Sequence, residues 1–503
     1  MDLFNRFLKH LIILSYMTAL PFAYAQNESL VSLVEKKHFD EALSLIESGI
    51  DVNTPSVDGT TALHWAVYHG NSGLVSRLLR AEANPDVFNE YGSSPMSEAA
   101  ATGNYTLLNM LLQAGADVES ANPEGQTALM AVARTGNVQA ARLLLEHGAQ
   151  VDAVERWGGQ TALHWAAARR HPAMVSLMLE HGAEVDRRAI DRNWERRVTS
   201  EPRMKDMKTG GLTPLLYAVR ENCLACVEAL LEAGADINKP DPENVSPLIL
   251  ALLNMRYDIA MYLIEQGANI NQWDFYGRTP LYAAVDTHLL AGRSNRGDLP
   301  SLDKHSALDV AKLLLEKGAN PDLSLKLYPP AREIVYDRAN DFNQMNTGST
   351  PIQQAAYIGD MEMMKLLLEY NANWQQPNIH GVTPMIALTS KSTNENTRGS
   401  LKTEQDVMNG LDVLMSVGAD INQKGGRFGE TPLHTSARMN WLTVVEFLVE
   451  KGADLYAEDD RGLIPLQYAT GDADTQALGG FDVVGELPEM AALLKRLMEE
   501  NPQ

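Results

Sequence analysis

The feature that most constrains the fold is a short segment that recurs along the whole chain. The hexapeptide TALHWA stands at 61–66 and again at 161–166, and related segments such as TPLLYAV, TPLYAAV and TPLHTSA follow the same pattern. A glycine usually stands two residues before each copy, and six of the ten intervals between these positions are 33 residues. Self-similarity at a period of this length predicts an array of stacked repeats rather than one ordinary core.

Each repeat carries the pattern of two short helices. Thr or Ser opens the first helix as a cap, and Leu63, Ala66 and Val67 fall on one apolar stripe at i, i+3 and i+4. After a break, a second helix carries its own stripe and ends at Gly-Ala-Asp/Asn, where glycine supplies the left-handed cap. Neither stripe can be buried by one helix pair alone, so the repeats must stack. The pattern therefore predicts an all-α array.

These segments resemble the ankyrin-repeat family, whose TPLHxA and GADVN motifs are matched by TPLHTSA at 431–437 and GADIN at 234–238. The resemblance covers nearly all of 27–500. It implies a solenoid of helix-turn-helix units with projecting finger loops, in which first helices and fingers line a concave face. Degenerate copies at both ends bring the expected number of units to twelve.

Three intervals exceed the repeat length, with 52, 71 and 48 residues, and insertions are expected to fall in loops. The predicted organisation is a signal peptide at 1–25, an N-terminal capping repeat at 26–58, repeats at 59–186, a basic insertion loop at 187–210, repeats at 211–322 with a loop insertion near 289–305, an aromatic insertion loop at 323–347, repeats at 348–461 with a polar insertion near 390–405, and a C-terminal capping repeat at 462–503.

The N-terminus has the pattern of a cleaved export signal. Arg6 and Lys9 precede an apolar run at 11–20, and Ala23 and Ala25 are small residues at the two positions that signal peptidase reads. We therefore expect an exported bacterial protein that begins at Gln26, with the periplasm as its compartment and release outside the cell as the alternative. No membrane insertion is expected after cleavage.

Charge bears on the class of partner. A net charge of −23 disfavours binding to nucleic acid. The insertion at 187–210 is an exception, because it carries eight Arg or Lys against four Asp or Glu. We interpret it either as a docking loop for an acidic protein, with Trp194 as the apolar anchor, or as a solvated loop that pairs with the acidic repeats.

The candidate partner-binding residues are finger aromatics, which a loop tip has little reason to carry unless something packs on them, and variable first-helix positions. The finger residues are Tyr91, Trp157, Tyr276 and Phe428, with His380 in the same place once; the helix residues are Tyr68, His69, Arg134, Arg169, Arg220, Tyr357, Ile358 and Arg438. Packing between neighbouring fingers is the alternative for the aromatics.

The recurring histidines and the two cysteines are interpreted as structural. His64, His164 and His434 recur with the repeat period, and Met, Leu, Ile or Tyr replaces them in other copies, which a metal site would not tolerate. Trp65 and Trp165, beside two of these histidines, are expected to be mostly packing. Cys223 and Cys226 stand where a second helix begins, so a disulfide or two packed thiols is favoured over redox catalysis. No cofactor or metal is expected.

Searches for GxSxG, GxxxxGK[ST] and HExxH give no match, so no enzyme is expected. The sequence predicts a non-catalytic scaffold in the bacterial envelope that binds a protein partner through its concave face, finger tips and insertions. The alternatives are a secreted factor that engages a host or competitor protein and, less favoured, a redox-sensitive periplasmic adaptor. No small-molecule substrate is expected.

Overall fold

A computed structural model of the chain describes residues 28–196, 205–289, 301–326, 347–390, 402–471 and 486–502, with only the backbone at 192–196 and 205–209. The predicted signal peptide and the central parts of the three later insertions lie outside these residues. The chain divides into two compact units, at 1–185 and 186–503.

In the first unit, ten helices form five antiparallel pairs, and the first helices of successive pairs pack side by side, as do the second helices. The helices are α1 (Leu30–Glu35), α2 (Phe39–Glu47), α3 (Ala62–Tyr68), α4 (Ser72–Arg80), α5 (Pro95–Ala101), α6 (Tyr105–Gln113), α7 (Ala128–Thr135), α8 (Val138–Glu146), α9 (Ala162–Ala168) and α10 (Pro172–Glu180).

The second unit begins with two strands and continues with seven helix pairs packed in the same two layers. Its elements are β1 (Asp191–Arg196), β2 (Lys205–Gly210), α11 (Pro214–Arg220), α12 (Leu224–Glu232), α13 (Pro247–Leu253), α14 (Tyr257–Glu265), α15 (Pro280–His288), α16 (Ala307–Glu316), α17 (Pro351–Ile358), α18 (Met361–Glu369), α19 (Pro384–Thr389), α20 (Glu404–Ser416), α21 (Pro432–Arg438), α22 (Leu442–Glu450), α23 (Pro465–Thr470) and α24 (Pro488–Glu500). The described residues thus contain twelve helix pairs, as the sequence predicts.

Local hydrogen bonds explain why both helices of a repeat start where they do. The Thr431 side chain accepts from the His434 amide at the start of α21, and Pro432 occupies the first helical position. Four of the second helices begin instead at Asn or Asp, as at Asn71, whose side chain accepts from the Leu74 amide at 3.0 Å. These caps satisfy amides that a helix cannot bond internally.

Neighbouring repeats are joined by a ladder of side chain-to-backbone hydrogen bonds at the base of the fingers. Asn53 Oδ1 accepts from the Asn84 amide at 2.7 Å, and Asp86 Oδ1 accepts from the Asp117 amide at 2.8 Å in the next repeat. In the second unit, Asn271 accepts from Asn320 across 49 positions of sequence. The ladder therefore continues past an insertion, which leaves the stacking of the repeats intact.

Two expectations about the insertions need correction. The ends of the basic insertion are not an irregular loop, because β1 and β2 pair antiparallel over six residue pairs. The polar insertion ends before 405: Thr403 caps α20, and Lys402 is buried, with its ammonium donating to the carbonyls of Ala387 and Leu388 at 2.9 and 2.7 Å. Lys402 caps the C-terminus of α19, which explains why the array resumes there.

Candidate partner-binding surface

Two finger tips of the first unit expose large aromatic side chains on rigid turns. Tyr91 is 77% exposed and Trp157 is 68% exposed. The turn below Tyr91 is closed by Asn89 Oδ1, which accepts from the amides of Tyr91 and Ser93. Below Trp157, the buried Glu155 carboxylate accepts from the amides of Trp157, Gly158 and Gln160 at 2.6–2.9 Å. Both aromatics are therefore presented on preorganised turns.

A second aromatic group lies on the first-helix layer of the same unit. Trp65, Tyr68 and His69 occupy one face of α3 and its C-cap, with ring centroids 5.4–5.7 Å apart, and Phe39 contacts His69 edge-on. Tyr68 is 62% exposed, whereas Trp65 is half-buried. The sequence assigned Trp65 to packing. In the structure the Trp65 ring packs edge-on against the ring of the exposed Tyr68.

Basic side chains lie on the same layer, further along the first unit. The Arg134 guanidinium is 6.0 Å from the centroid of the Trp165 ring, and Arg169 is exposed at the C-cap of α9. Trp165 Nε1 is buried with no hydrogen-bond partner. This end of the layer thus combines an indole with two guanidinium groups.

In the second unit the candidates are more dispersed. Arg220 is exposed, stacks 4.8 Å from the Tyr217 ring and pairs with Glu221 at 2.9 Å. Tyr357 is half-buried, with the Lys402 ammonium 5.6 Å from its ring. Trp194 lies in β1 opposite Met207.

Three residues expected at the surface are buried, and their accessible position was predicted wrongly. Tyr276 is 3% exposed, because the next finger crosses it: the Lys326 amide donates to the Tyr276 carbonyl, and the Arg278 guanidinium lies 5.5 Å from its ring. Ile358 is 8% exposed at the end of α17. The sequence analysis missed Phe275, which precedes Tyr276 and is 58% exposed. A finger tip lacks the regular alternation of buried and exposed side chains that a strand has, so the exposed position could not be read from the sequence.

Arg438 is the third residue that was expected at the surface and is buried, and it belongs to a buried ionic network. Its Nη1 lies 2.7 Å from Glu430 Oε1, and only 8% of the residue is exposed. The Tyr468 hydroxyl donates to Asp459 Oδ2 at 2.7 Å, and Arg461 Nη2 donates to the same carboxylate at 2.8 Å. Burial, followed by the nearby Glu430 charge, raises the pKa of Tyr468 far above its ordinary value, so the phenol is a donor.

The half-buried Phe428 lies beside this network rather than at an open tip. Its ring is 4.1 Å from the Arg461 guanidinium and 5.5 Å from that of Arg427. At the preceding finger, Ile379 is 69% exposed while His380 is half-buried. The finger aromatics of the second unit thus mainly pack between fingers, which was the alternative interpretation from sequence.

The histidines of the TALHWA-type segments are structural links. His64 Nδ1 accepts from the Thr61 amide at 3.1 Å, so its Nε2 carries the proton and donates to the Ser93 carbonyl in the next repeat at 3.0 Å. Burial lowers the pKa of His64, against the smaller raising effect of the bond to Ser93. In the described residues, no group of three or more His, Cys, Asp or Glu is arranged to hold a metal ion.

Cys223 and Cys226 form a disulfide. Cys223 occupies the N-cap position of α12 without a side-chain cap bond, and Cys226 stands three residues later. In two other repeats the Asn cap bond links these same two positions, as between Asn71 and Leu74 and between Asn137 and Ala140. Both cysteines are buried, at 6% and 0% exposure. The disulfide therefore crosslinks a helix start and is shielded from solvent.

Comparison with known families identifies the class. A family model described as "Ankyrin repeats (3 copies)" matches residues 30–122, 99–189 and 404–477, and one described as "Ankyrin repeat" matches 210–242, 243–275, 276–324 and 347–379. These matches cover more than half of the chain, so it belongs to the ankyrin-repeat family, whose repeats form scaffolds for protein-protein interaction.

Curated relatives match this chain over a minor part of their own length. The chain is 26% identical over 249 residues to human "Transient receptor potential cation channel subfamily A member 1", covering 50% of this chain and 18% of that protein. It is 28% identical over 175 residues to dog "Inversin", covering 35% of this chain and 13% of that one. Human "Palmitoyltransferase ZDHHC13" is 27% identical over 254 residues, 50% of this chain and 32% of the relative. The chain thus spans less than a third of each of these relatives.

Among solved structures, the human ASB11 ankyrin repeat domain aligns with a TM-score of 0.39 and 20% identity, over 48% of this chain and 99% of that one. The Bcl-3 ankyrin repeat domain aligns with a TM-score of 0.38 and 28% identity, over 45% of this chain and 94% of that one.

In the described part of this chain, every helix falls short of the length and apolar character that crossing a bilayer requires.

Proposed function

We propose that this protein is an exported, non-catalytic scaffold that binds a partner protein through the first unit. The contact surface comprises the finger tips at Tyr91 and Trp157 and the aromatic and basic side chains of the first-helix layer. The observation that carries the proposal is the exposure of Tyr91 and Trp157 on turns that a side chain holds in place, Asn89 by bonds from two amides and Glu155 by bonds from three. Rigid exposed Tyr and Trp residues are the side chains in which binding energy concentrates.

The proposal predicts that Trp157→Ala weakens partner binding by about 2 kcal/mol and leaves the melting temperature nearly unchanged. The partner is first captured with the chain 26–503 from the periplasmic extract of the source organism and then measured by calorimetry. Tyr105→Ala is the matched control, because Tyr105 is 43% exposed at the start of the second helix α6. Equal affinities of the two variants would remove the finger tips from the interface.

Export rests on two features. The N-terminal segment has the pattern of a cleaved signal, and a disulfide is typical of an oxidising compartment. The test is to express the full chain in a Gram-negative host and determine its compartment and its N-terminal residue. A periplasmic chain beginning at Gln26 supports the proposal, recovery from the medium supports a secreted factor, and an unprocessed cytoplasmic chain excludes both.

The redox-adaptor alternative receives less support. Exchange with a partner thiol requires an accessible sulfur, and buried structural cysteines are inert. Because Cys226 is fully buried and Cys223 nearly so, reduction requires local unfolding of the α11–α12 turn. We therefore assign the disulfide a stabilising role.

A further inference from the structure

Arginine side chains of the chain cover aromatic rings at one position of the first helices. The fourth residue of a first helix is aromatic in α3, α9, α11 and α23, and in the last three of these helices a guanidinium lies near the ring centroid. The pairs are Arg134 with Trp165 at 6.0 Å, Arg220 with Tyr217 at 4.8 Å and Arg461 with Tyr468 at 5.5 Å. A cation over an aromatic face is an attractive arrangement.

The exception is Trp65, the fourth residue of α3. In the described part of the chain, its ring contacts Tyr68 and His69 but no arginine or lysine. Arg134, which lies near the ring in α9, precedes the N-cap of α8 by three residues, and Glu35 has the same place before α2. The position that supplies a cation to one tryptophan thus carries a carboxylate in the helix before α3.

Two carboxylates flank Trp65, Tyr68 and His69, which we call the Tyr68 cluster. Glu35 lies on the α1 side, where its carbonyl is 3.2 Å from the Nε2 atom of His69. Glu98 is the fourth residue of α5, on the other side. Within the described ranges neither carboxylate has an ion-pair partner, whereas the neighbouring Lys36 is paired with Glu28 at 2.9 Å. The surroundings of the cluster therefore favour a cation.

The Tyr68 cluster is ordered and open. The Trp65 ring is nearly parallel to the His69 ring and perpendicular to that of Tyr68, with centroids 5.7 and 5.5 Å apart. Tyr68 is 62% exposed. Both neighbours of α3 in the first-helix layer, α1 and α5, belong to the first unit, in which 28–185 are described without a gap. An accessible aromatic face thus lies between two carboxylates of its own unit.

We propose that the Tyr68 cluster binds an arginine side chain of the partner protein, with the guanidinium stacked on the Tyr68 ring beside Trp65 and paired with Glu35. A planar guanidinium stacks on an aromatic ring while its N–H groups bond a carboxylate, which a lysine ammonium does less well. The chain itself places arginine on the three equivalent rings. The proposal rests on the protein-binding function proposed above and adds the chemistry of the partner.

The experiment uses the chain 26–503 labelled with fluorotryptophan and the blocked tripeptide Gly-Arg-Gly. Fluorine NMR separates the tryptophans, and Trp65→Phe identifies the Trp65 resonance. We expect the arginine peptide to shift this resonance saturably. The peptide with citrulline, which has the shape of arginine without its charge, should bind about tenfold more weakly, because it loses both the ring contact and the ion pair. The lysine peptide should fall between the two.

Substitutions test the two halves of the site. Tyr68→Ala and Glu35→Gln should each weaken binding of the arginine peptide about fivefold. Glu47→Gln is the matched control, because Glu47 is exposed and is the last residue of α2 as Glu35 is of α1. Glu35→Arg should abolish binding and shift the Trp65 resonance without peptide, because the chain then supplies the cation as Arg134 does for Trp165. That shift distinguishes an occupied site from an unfolded one.

The proposal is overturned if the arginine and citrulline peptides bind equally, if Glu47→Gln weakens binding as much as Glu35→Gln, or if Glu35→Arg still binds the peptide fully. Tetramethylammonium that binds as tightly as the arginine peptide would assign the cluster to a quaternary ammonium group and would also overturn it. Trp157→Ala should leave peptide binding unchanged. If the arginine peptide fails while Trp157→Ala still weakens the captured partner, only the arginine proposal falls; the reverse result removes only the finger tips.

Discussion

At the scale of single residues, the structure shows that one position in the repeat performs one task with different side chains. His434 accepts from the Thr431 amide through Nδ1 and bonds the Leu463 carbonyl through Nε2. Gln353 does the same in its repeat, accepting from Thr350 at 2.8 Å and donating to Val382 at 2.9 Å. The recurrence of TALHWA therefore reflects a link between repeats and not a repeated reactive site.

This equivalence predicts a pH effect. Burial lowers the pKa of His64 and His434, so the unfolded chain binds more protons once the pH falls below its histidine pKa of 6.5. Stability is thus complete above that pH and falls below it, by up to about 1.4 kcal/mol per pH unit for each histidine. His434→Gln should match the original chain at pH 8 and lose less stability at pH 5.5 in urea unfolding. An unchanged pH slope would contradict the assignment.

The disulfide predicts a second effect at this scale. Opening a loop this short should cost about 2 kcal/mol through the entropy of the unfolded chain. Cys223→Ala/Cys226→Ala should therefore lower the free energy of unfolding by that amount. Cys223→Asn/Cys226→Ala reproduces the Asn137 and Ala140 arrangement of α8 and should recover about 1 kcal/mol through the cap bond. Equal stabilities of the two variants would show that the cap contributes nothing here.

At the scale of elements, capping residues and apolar stripes determine where the helices begin and which face they bury. Contacts between elements determine which side chains remain exposed. Tyr91 and Tyr276 both precede a finger glycine, yet one is exposed and the other is covered by the next finger. Likewise Arg220 and Arg438 both end first helices, yet Arg220 is exposed and Arg438 is buried against Glu430. Equivalent sequence positions therefore give non-equivalent surfaces.

The buried network that joins the finger before α21 to α23 can be tested by a double-mutant cycle. Arg438→Met alone should destabilise the chain by about 3–5 kcal/mol, because it leaves the buried Glu430 carboxylate uncompensated. Arg438→Met/Glu430→Gln should restore much of that loss, since no charge then remains unpaired. If the double variant is as unstable as Arg438→Met, packing of the arginine rather than its charge holds this region.

At the scale of the whole molecule, each unit is a stack in which the closely packed helices of the described residues belong to the same or to neighbouring repeats. Stability in such a stack is a sum of local terms, so a segment with enough repeats folds without the rest. The fragment 28–185, with five helix pairs, should be helical by circular dichroism and unfold cooperatively in denaturant. An unfolded or non-cooperative fragment would show that the first unit depends on the second.

The sequence by itself determined the family, the twelve helix pairs and the structural role of the recurring histidines. These follow from period, capping residues and apolar spacing, which are local and are repeated many times along the chain. Only the tertiary structure decided that Tyr276 and Arg438 are buried, that Phe275 is exposed, and that the basic insertion begins as a paired ribbon. Burial and strand pairing depend on the neighbouring finger or strand, and a single repeat's sequence does not contain that neighbour.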